Sequence, residues 1–216
     1  MTNDDGVHSQ GLHALAEVAV HAGLEVTIAA PHEERSGASA SLTALEEDGR
    51  LVIHESEPRI DGVERVLGVE ASPAFIVMAA LAGAFGPAPG LILSGINHGP
   101  NTGHAVLHSG TVGAALTGAT LSCPGLAFSL AASRPTQFGT AAGVASQVVS
   151  WVLEREVPTD LVLNVNIPDV PLDELRGLRQ AALAEFGAVQ AEVGETGEGF
   201  STITFSQIDA EYEADT

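Results

Sequence analysis

Apolar positions along the chain switch repeatedly between helical and strand-like spacing. Leu12, Leu15, Val18, Ala19 and Ala22 recur at helical intervals, and Gly23 suits a C-terminal stop. "LEVTIAAP" (24–31) reads as a strand closed by proline, and "RLVIHE" (50–55) alternates like an exposed strand. "SPAFIVMAALAGAFG" (72–86) opens with a capping serine and a proline at the first helical position, which predicts a helix. "GLILSGIN" (90–97) begins with the unbroken apolar run of a buried parallel strand. "SGTVGAALTGATL" (109–121) predicts a helix with a small-residue face, and "PGLAFSL" (124–130) a second buried strand. "TQFGTAAGVASQVVSWVLE" (136–154) predicts a long helix and "DLVLNVNIP" (160–168) another strand.

Strand and helix alternate at spacings that fit βαβ crossovers. The expected fold class is therefore α/β: an open, mostly parallel sheet with helices on both faces. After Pro168 the pattern decays. "VPLDELRGLRQAALAEFGAV" offers a turn of helix and a strand, and "FSTITFSQIDAEYE" alternates like one strand of a hairpin. The expected organisation is a core over residues 1–168 with a β-rich C-terminal arm over 169–216, in the same domain.

Composition narrows the function classes. The net charge is −20 and the chain has no lysine, which argues against a nucleic-acid duplex or an anionic membrane as a large-surface partner. It also excludes a lysine-dependent phosphate loop. Cys123 is the single cysteine, so a disulfide framework or a cysteine-rich zinc site is excluded. The start carries aspartates where a signal peptide has bases, and Pro73, Gly83, Pro87, Pro89 and Gly90 break up the longest apolar stretch. The expected localisation is cytoplasmic. Between Ala71 and Leu153 the only charged residue is Arg134. A phosphate-bearing ligand is tolerated beside the neutral loops of that stretch.

In open parallel sheets, ligands bind beyond the carboxyl ends of the strands. The segments delivered to that edge are "TNDDG", "HEERSGAS", "SGINHGPN" and the helix opening "SGT". Together they offer two carboxylates, a hydroxyl and an amide: Asp4, Asp5, Ser36 and Asn97. These hard oxygen donors suit one divalent ion, Mg²⁺ or Mn²⁺, better than Zn²⁺. A dication also lets two adjacent carboxylates stay ionised. The plainer alternative is a turn, since Asn, Asp and Gly dominate turns. The helix start at Ser109, Gly110 and Thr111 presents free N–H groups and hydroxyls to an anion, or is an ordinary cap. His98, His104 and His108 crowd the neighbouring loop, where one can supply a proton to a leaving group. His32 in "PHEER" resembles the "HPDDE" of zinc deacetylases, but the second carboxylate is wrongly spaced and no distal histidine motif follows.

"TNDDGVHSQGLHAL", "APHEERSGASASLT", "LSGINHGPNTG", "SGTVGAALTG" and "LNVNIPDVPLDELRGLR" resemble, in order and spacing, the SurE family (survival protein E) across most of residues 2–180. The resemblance implies a Rossmann-like core and a divalent-metal-dependent phosphomonoesterase. Its substrates would be nucleoside monophosphates, as in a 5′/3′-nucleotidase, and its assembly a homodimer or homotetramer. It places metal ligands on Asp4, Asp5, Ser36 and Asn97, the catalytic carboxylates among them, and substrate contacts on Asn101, Ser109, Gly110 and Thr111. The family pattern also implies an apolar strand just before the aspartate pair, where this sequence has Met1 and Thr2 alone, and a further strand beyond "EYEADT". The expectation is thus a first strand that is missing, from a fragment or a misplaced start. The rival function is a non-catalytic nucleotide or phosphate binder on the same scaffold.

Overall fold

The structure, a computed structural model, describes residues 1–183, 189–197 and 199–207. In chain order the elements are α1 (Gln10–His21), β1 (Val26–Pro31), β2 (Glu46–Glu47), β3 (Arg50–Leu51), β4 (Ile53–Ser56), β5 (Val63–Val69), α2 (Pro73–Leu81) and β6 (Ile92–His98). There follow α3 (Gly110–Thr120), β7 (Gly125–Ala131), α4 (Phe138–Leu153), β8 (Val162–Pro168), β9 (Val189–Gly197) and β10 (Phe200–Gln207). The α/β class is as expected.

Two three-stranded sheets, β1-β5-β4 and β6-β7-β8, lie on either side of the chain's first residues. Pairing is parallel throughout except between β4 and β5. Met1 and Thr2 fill the seam. The Met1 ammonium donates to the Thr27 carbonyl at 2.7 Å, and Ala29 N–H donates to the Met1 carbonyl at 2.9 Å. On the other side Thr2 N–H donates to Leu93 and Gly95 N–H to Thr2, both at 3.0 Å. Two residues thus hold ladder bonds on both edges, and everything after them is launched from the middle of the sheet.

Strand alternation sorts side chains onto two faces. Ile28 and Ala30 of β1 and Leu126, Phe128 and Leu130 of β7 pack with α1 and α4. Ala29 with Leu67 and Val69 of β5 faces α2, and Ala127 faces Val112 and Ala115 of α3. Leu126, Phe128 and Leu130 are fully buried, each such side chain contributing about 1.5–3 kcal/mol of transfer free energy.

Three elements depart from expectation. β5 was not predicted: "VERVLGV" places an exposed Glu64 and the salt-bridged Arg65 in a run buried over its second half, so neither alternation nor a clean apolar run marks it. "RLVIHE" is not one strand. Arg50–Leu51 turns back on Glu46–Glu47 around Asp48 and Gly49, both left-handed, while Ile53–Ser56 pairs with β5. The helix expected over 72–86 ends at Leu81, where Gly83 adopts φ 85° and donates to Ala80. Beyond β8, Leu172–Glu174 forms the expected single turn of helix, and β9 pairs antiparallel with β10. Of the strand expected within residues 170–189, the described residues 170–183 form none and Val189 opens β9, while residues 184–188, and residues 208–213 of "FSTITFSQIDAEYE", lie outside the described residues.

α1 approaches β6 through a glycine. A Cβ on Gly11 would lie 1.9 Å from the Ile96 carbonyl oxygen. Gly11→Ala is expected to cost about 1–3 kcal/mol or more in urea unfolding, because backbone rather than a pliable side chain stands in the way. Gly139 on the exposed side of α4 has nothing within 4 Å, so Gly139→Ala should be neutral or stabilising by up to about 1 kcal/mol.

Candidate active site

The short entry from the seam is tied down residue by residue. Asn3 Nδ2 donates to the Gly6 carbonyl at 3.1 Å and to Ser9 Oγ at 2.6 Å. Ser9 in turn caps α1 by accepting from Leu12 N–H. Val7 N–H donates to Pro31, and Arg35 N–H donates to the Asp4 carbonyl at 2.7 Å. "NDDG" is therefore a bend, followed by a hydrogen-bonded turn at Val7 and His8, and it holds two carboxylates at the carboxyl end of the sheet.

The two carboxylates point to different surroundings. Asp4 is 5% exposed, and its Oδ2 accepts from Gly110 N–H, the first residue of α3, at 3.0 Å. Its Oδ1 accepts from the Thr111 hydroxyl. A Cβ on Gly110 would sit 2.8 Å from Asp4 Cβ, so the glycine in "SGT" is what lets the carboxylate reach the helix start. Burial raises the Asp4 pKa above the usual carboxylate range, and the bonds from Thr111 and Gly110 partly oppose that rise. Ser109 caps α3 by accepting from Val112 N–H at 3.1 Å.

Asp5 faces an open cleft of about 540 Å³, which it lines with His8, His32, Glu34, Ser36 and His98. Its Oδ2 accepts from His98 N–H at 3.3 Å, and its Oδ1 stands 3.8 Å from His98 Nδ1. Burial, and then the neighbouring Asp4 charge, push the Asp5 pKa up to about 6, with His98 pulling the other way.

Of the other expected ligands, Ser36 reaches the same cleft, with its hydroxyl donating to Glu34 Oε1 at 2.6 Å. Asn97 follows the buried run of β6, which ends at Ile96, and is itself half-buried. Its Nδ2 donates to the Gly99 carbonyl at 2.8 Å, which fixes the amide and leaves the oxygen as an acceptor. Among the expected substrate contacts, Asn101 is buried in a network. Its Nδ2 donates to Ser129 Oγ at 2.9 Å, its N–H to Asn166 Oδ1 at 2.7 Å, and its carbonyl accepts from Asn164 Nδ2 at 2.8 Å. Of the three crowded histidines, His98 lines the cleft, while His104 and His108 are exposed on the short helix Gly103–His108.

Sequence reasoning left out Glu34, Asn164 and Asn166. Glu34 lies two residues before Ser36, and "LNVNIP" puts two asparagines on one face of β8, a polar signal at strand spacing that could have been read.

Comparison with known proteins identifies the family. The family described as survival protein SurE matches residues 1–190. The 5′-nucleotidase SurE of Methylococcus capsulatus is 42% identical over 193 residues, covering 89% of this chain and 73% of that protein. The 5′-nucleotidase SurE of Aeromonas hydrophila is 43% identical over 183 residues, covering 85% and 70%. The crystal structure of the SurE protein from Aquifex aeolicus superposes with a TM-score of 0.77 at 31% identity, covering 95% of this chain and 80% of that one. With a family match that spans residues 1–190 and relatives 42–46% identical, the chain belongs to the SurE family.

Proposed function

We propose that the protein hydrolyses nucleoside monophosphates to nucleoside and phosphate, as a divalent-metal-dependent 5′/3′-nucleotidase. The observation that carries this reading is the placement of Asp5 on a cleft with Ser36 and His98, backed by a second buried carboxylate. The names of the curated relatives support the 5′ activity.

The donor set fits a hard dication. Asp4 and Asp5 are adjacent, both are pushed toward the neutral form, and the described bonds to them come from uncharged donors. A cation held by Asp4, Asp5, Ser36 and Asn97 relieves that cost and leaves positions for water. When bound, such an ion polarises a phosphoryl oxygen and makes coordinated water a better nucleophile.

The chain's own residues supply the rest. Asp5 receives the proton of the attacking water as the new phosphorus–oxygen bond forms. The ester bond to the ribose oxygen breaks, and that oxygen takes a proton from a neighbouring acid, for which His98 stands beside Asp5 in the cleft. Asn101, Ser109, Gly110 and Thr111 form the substrate side of this reading. The Gly110 and Thr111 donors are paired with Asp4, so binding a phosphoryl oxygen there exchanges one anion for another. Asn101 and its partners keep the wall rigid. A homodimer or homotetramer belongs to the same reading. Leu107 and Leu42 are 70% and 57% exposed, and Ser39 Oγ donates to the Leu107 carbonyl, which draws the two segments together.

Asp5→Ala or Asn97→Ala is expected to lower Mg²⁺- or Mn²⁺-dependent phosphate release from AMP or GMP by about 10²-fold or more. Unchanged turnover in both variants rules out the site. Nucleotide binding without phosphate release in the wild type supports the non-catalytic binder instead. In chelator, a further effect tests the buried charge. Asp5 holds its proton up to about pH 6 in the folded chain, against 3.8 for an unperturbed aspartate. The folded state therefore binds more protons between those values, and stability falls as pH rises through that window. Asp5→Asn should melt higher than wild type at pH 7.5, with the gap narrowing near pH 4.5, as followed by circular dichroism.

A further inference from the structure

A second cluster of chemistry-bearing side chains borders the cleft on its β5 side. His32 follows β1 directly, and its N–H donates to the Val69 carbonyl at 2.9 Å. His54 lies on β4, opposite Gly68 of β5, and Glu70 follows β5, with its N–H donating to Val52. Gly68 and Glu70 are two residues apart along the strand path and so share a face. Because Gly68 has no side chain, the imidazoles from the two flanking strands meet above it. A Cβ there would lie 2.7 Å from His32 Nδ1. The rings stack with centroids 4.0 Å apart.

Three donor atoms converge as a result. An imidazole nitrogen from each histidine and a carboxylate oxygen of Glu70 lie within 4.8 Å of one another. Arg35 binds Glu70 Oε2 at 3.2 Å, which turns Oε1 toward His54 Nε2, 3.4 Å away. His32 Nδ1 is buried without a hydrogen-bond partner among the described residues. Two imidazoles and one carboxylate are a donor set for a borderline ion, unlike the oxygen-only set around Asp5. A tetrahedral ion with bonds of about 2.0–2.1 Å holds its donors roughly 3.3 Å apart. The half-exposed His54 side chain can make that contraction by a small rotation.

We propose that His32, His54 and Glu70 form a separate site for a transition-metal dication of the Zn²⁺ class. It ties the edge strand β4 to the start of the 32–36 loop that carries Ser36. Arg35 serves it as a positioning residue by orienting the carboxylate. The site is independent of the proposed hydrolysis, since it shares no ligand with the Asp5 set.

The test is equilibrium dialysis of the full chain against Zn²⁺ in excess Mg²⁺, for wild type, His54→Ala, Glu70→Gln and Asp5→Asn. Wild type and Asp5→Asn should take up one Zn²⁺ with equal affinity. His54→Ala and Glu70→Gln should bind it at least tenfold more weakly. Co²⁺ in place of Zn²⁺ should give a visible absorption band that His54→Ala removes, and circular dichroism checks that each variant is folded. No uptake by wild type, unweakened uptake by both His54→Ala and Glu70→Gln, or a loss that follows Asp5→Asn overturns the proposal.

Discussion

Two like charges held side by side out of bulk water set the terms for this protein. Adjacent carboxylates repel, and burial penalises both. The structure separates their duties. Asp4 turns inward to the start of α3, where a backbone N–H, a hydroxyl and the positive end of the helix dipole receive it. Asp5 turns outward to the cleft, where one backbone N–H and the edge of an imidazole meet it. Burial raises the pKa of both, but Asp4 accepts two hydrogen bonds from the start of α3, while Asp5 accepts one from backbone and faces the open cleft. The proposed hard-cation site builds on that difference.

Holding such a pair requires a stiff mount. Met1 and Thr2 contribute one backbone bond in each direction on each side, and so stitch the two half-sheets at the row from which Asp4 and Asp5 emerge. Asn3 then fastens the bend to Ser9, the cap of α1. α1 lies on β6 closely enough that the Gly11 Cα faces the Ile96 carbonyl, one residue before Asn97. The carboxylates and the amide are fixed by a single packed unit, which is how a short bend can present charge with precision.

The two flanks of the cleft differ in chemistry because the strands beneath them differ. On the β6 side the donors are oxygen atoms and backbone N–H groups, suited to hard ions and phosphoryl oxygens. On the β5 side a glycine in the middle strand opens space for imidazoles from both neighbours, and nitrogen donors dominate. Register and residue identity together produce this difference: β4 sets His54 opposite Gly68, and at that position β5 carries no side chain.

The sequence by itself determined the α/β alternation, the buried strands around β7 and the residue types gathered at the carboxyl edge, because these are local: periodicity, capping and turn chemistry are written in neighbouring residues. It did not reveal β5, whose run of Glu64, Arg65 and Gly68 makes sense only between β1 and β4. Nor did it reveal that "RLVIHE" changes partners at Val52. It identified Asp4, Asp5 and the Ser109–Thr111 helix start separately, but not that the helix start would be occupied by Asp4, nor that Asn101 would be locked to Ser129, Asn164 and Asn166. Those pairings join residues tens to more than a hundred positions apart, and only the tertiary structure decides them. Once the strands are in register, each buried polar atom must take its partner from whatever the neighbouring strand or helix brings within reach.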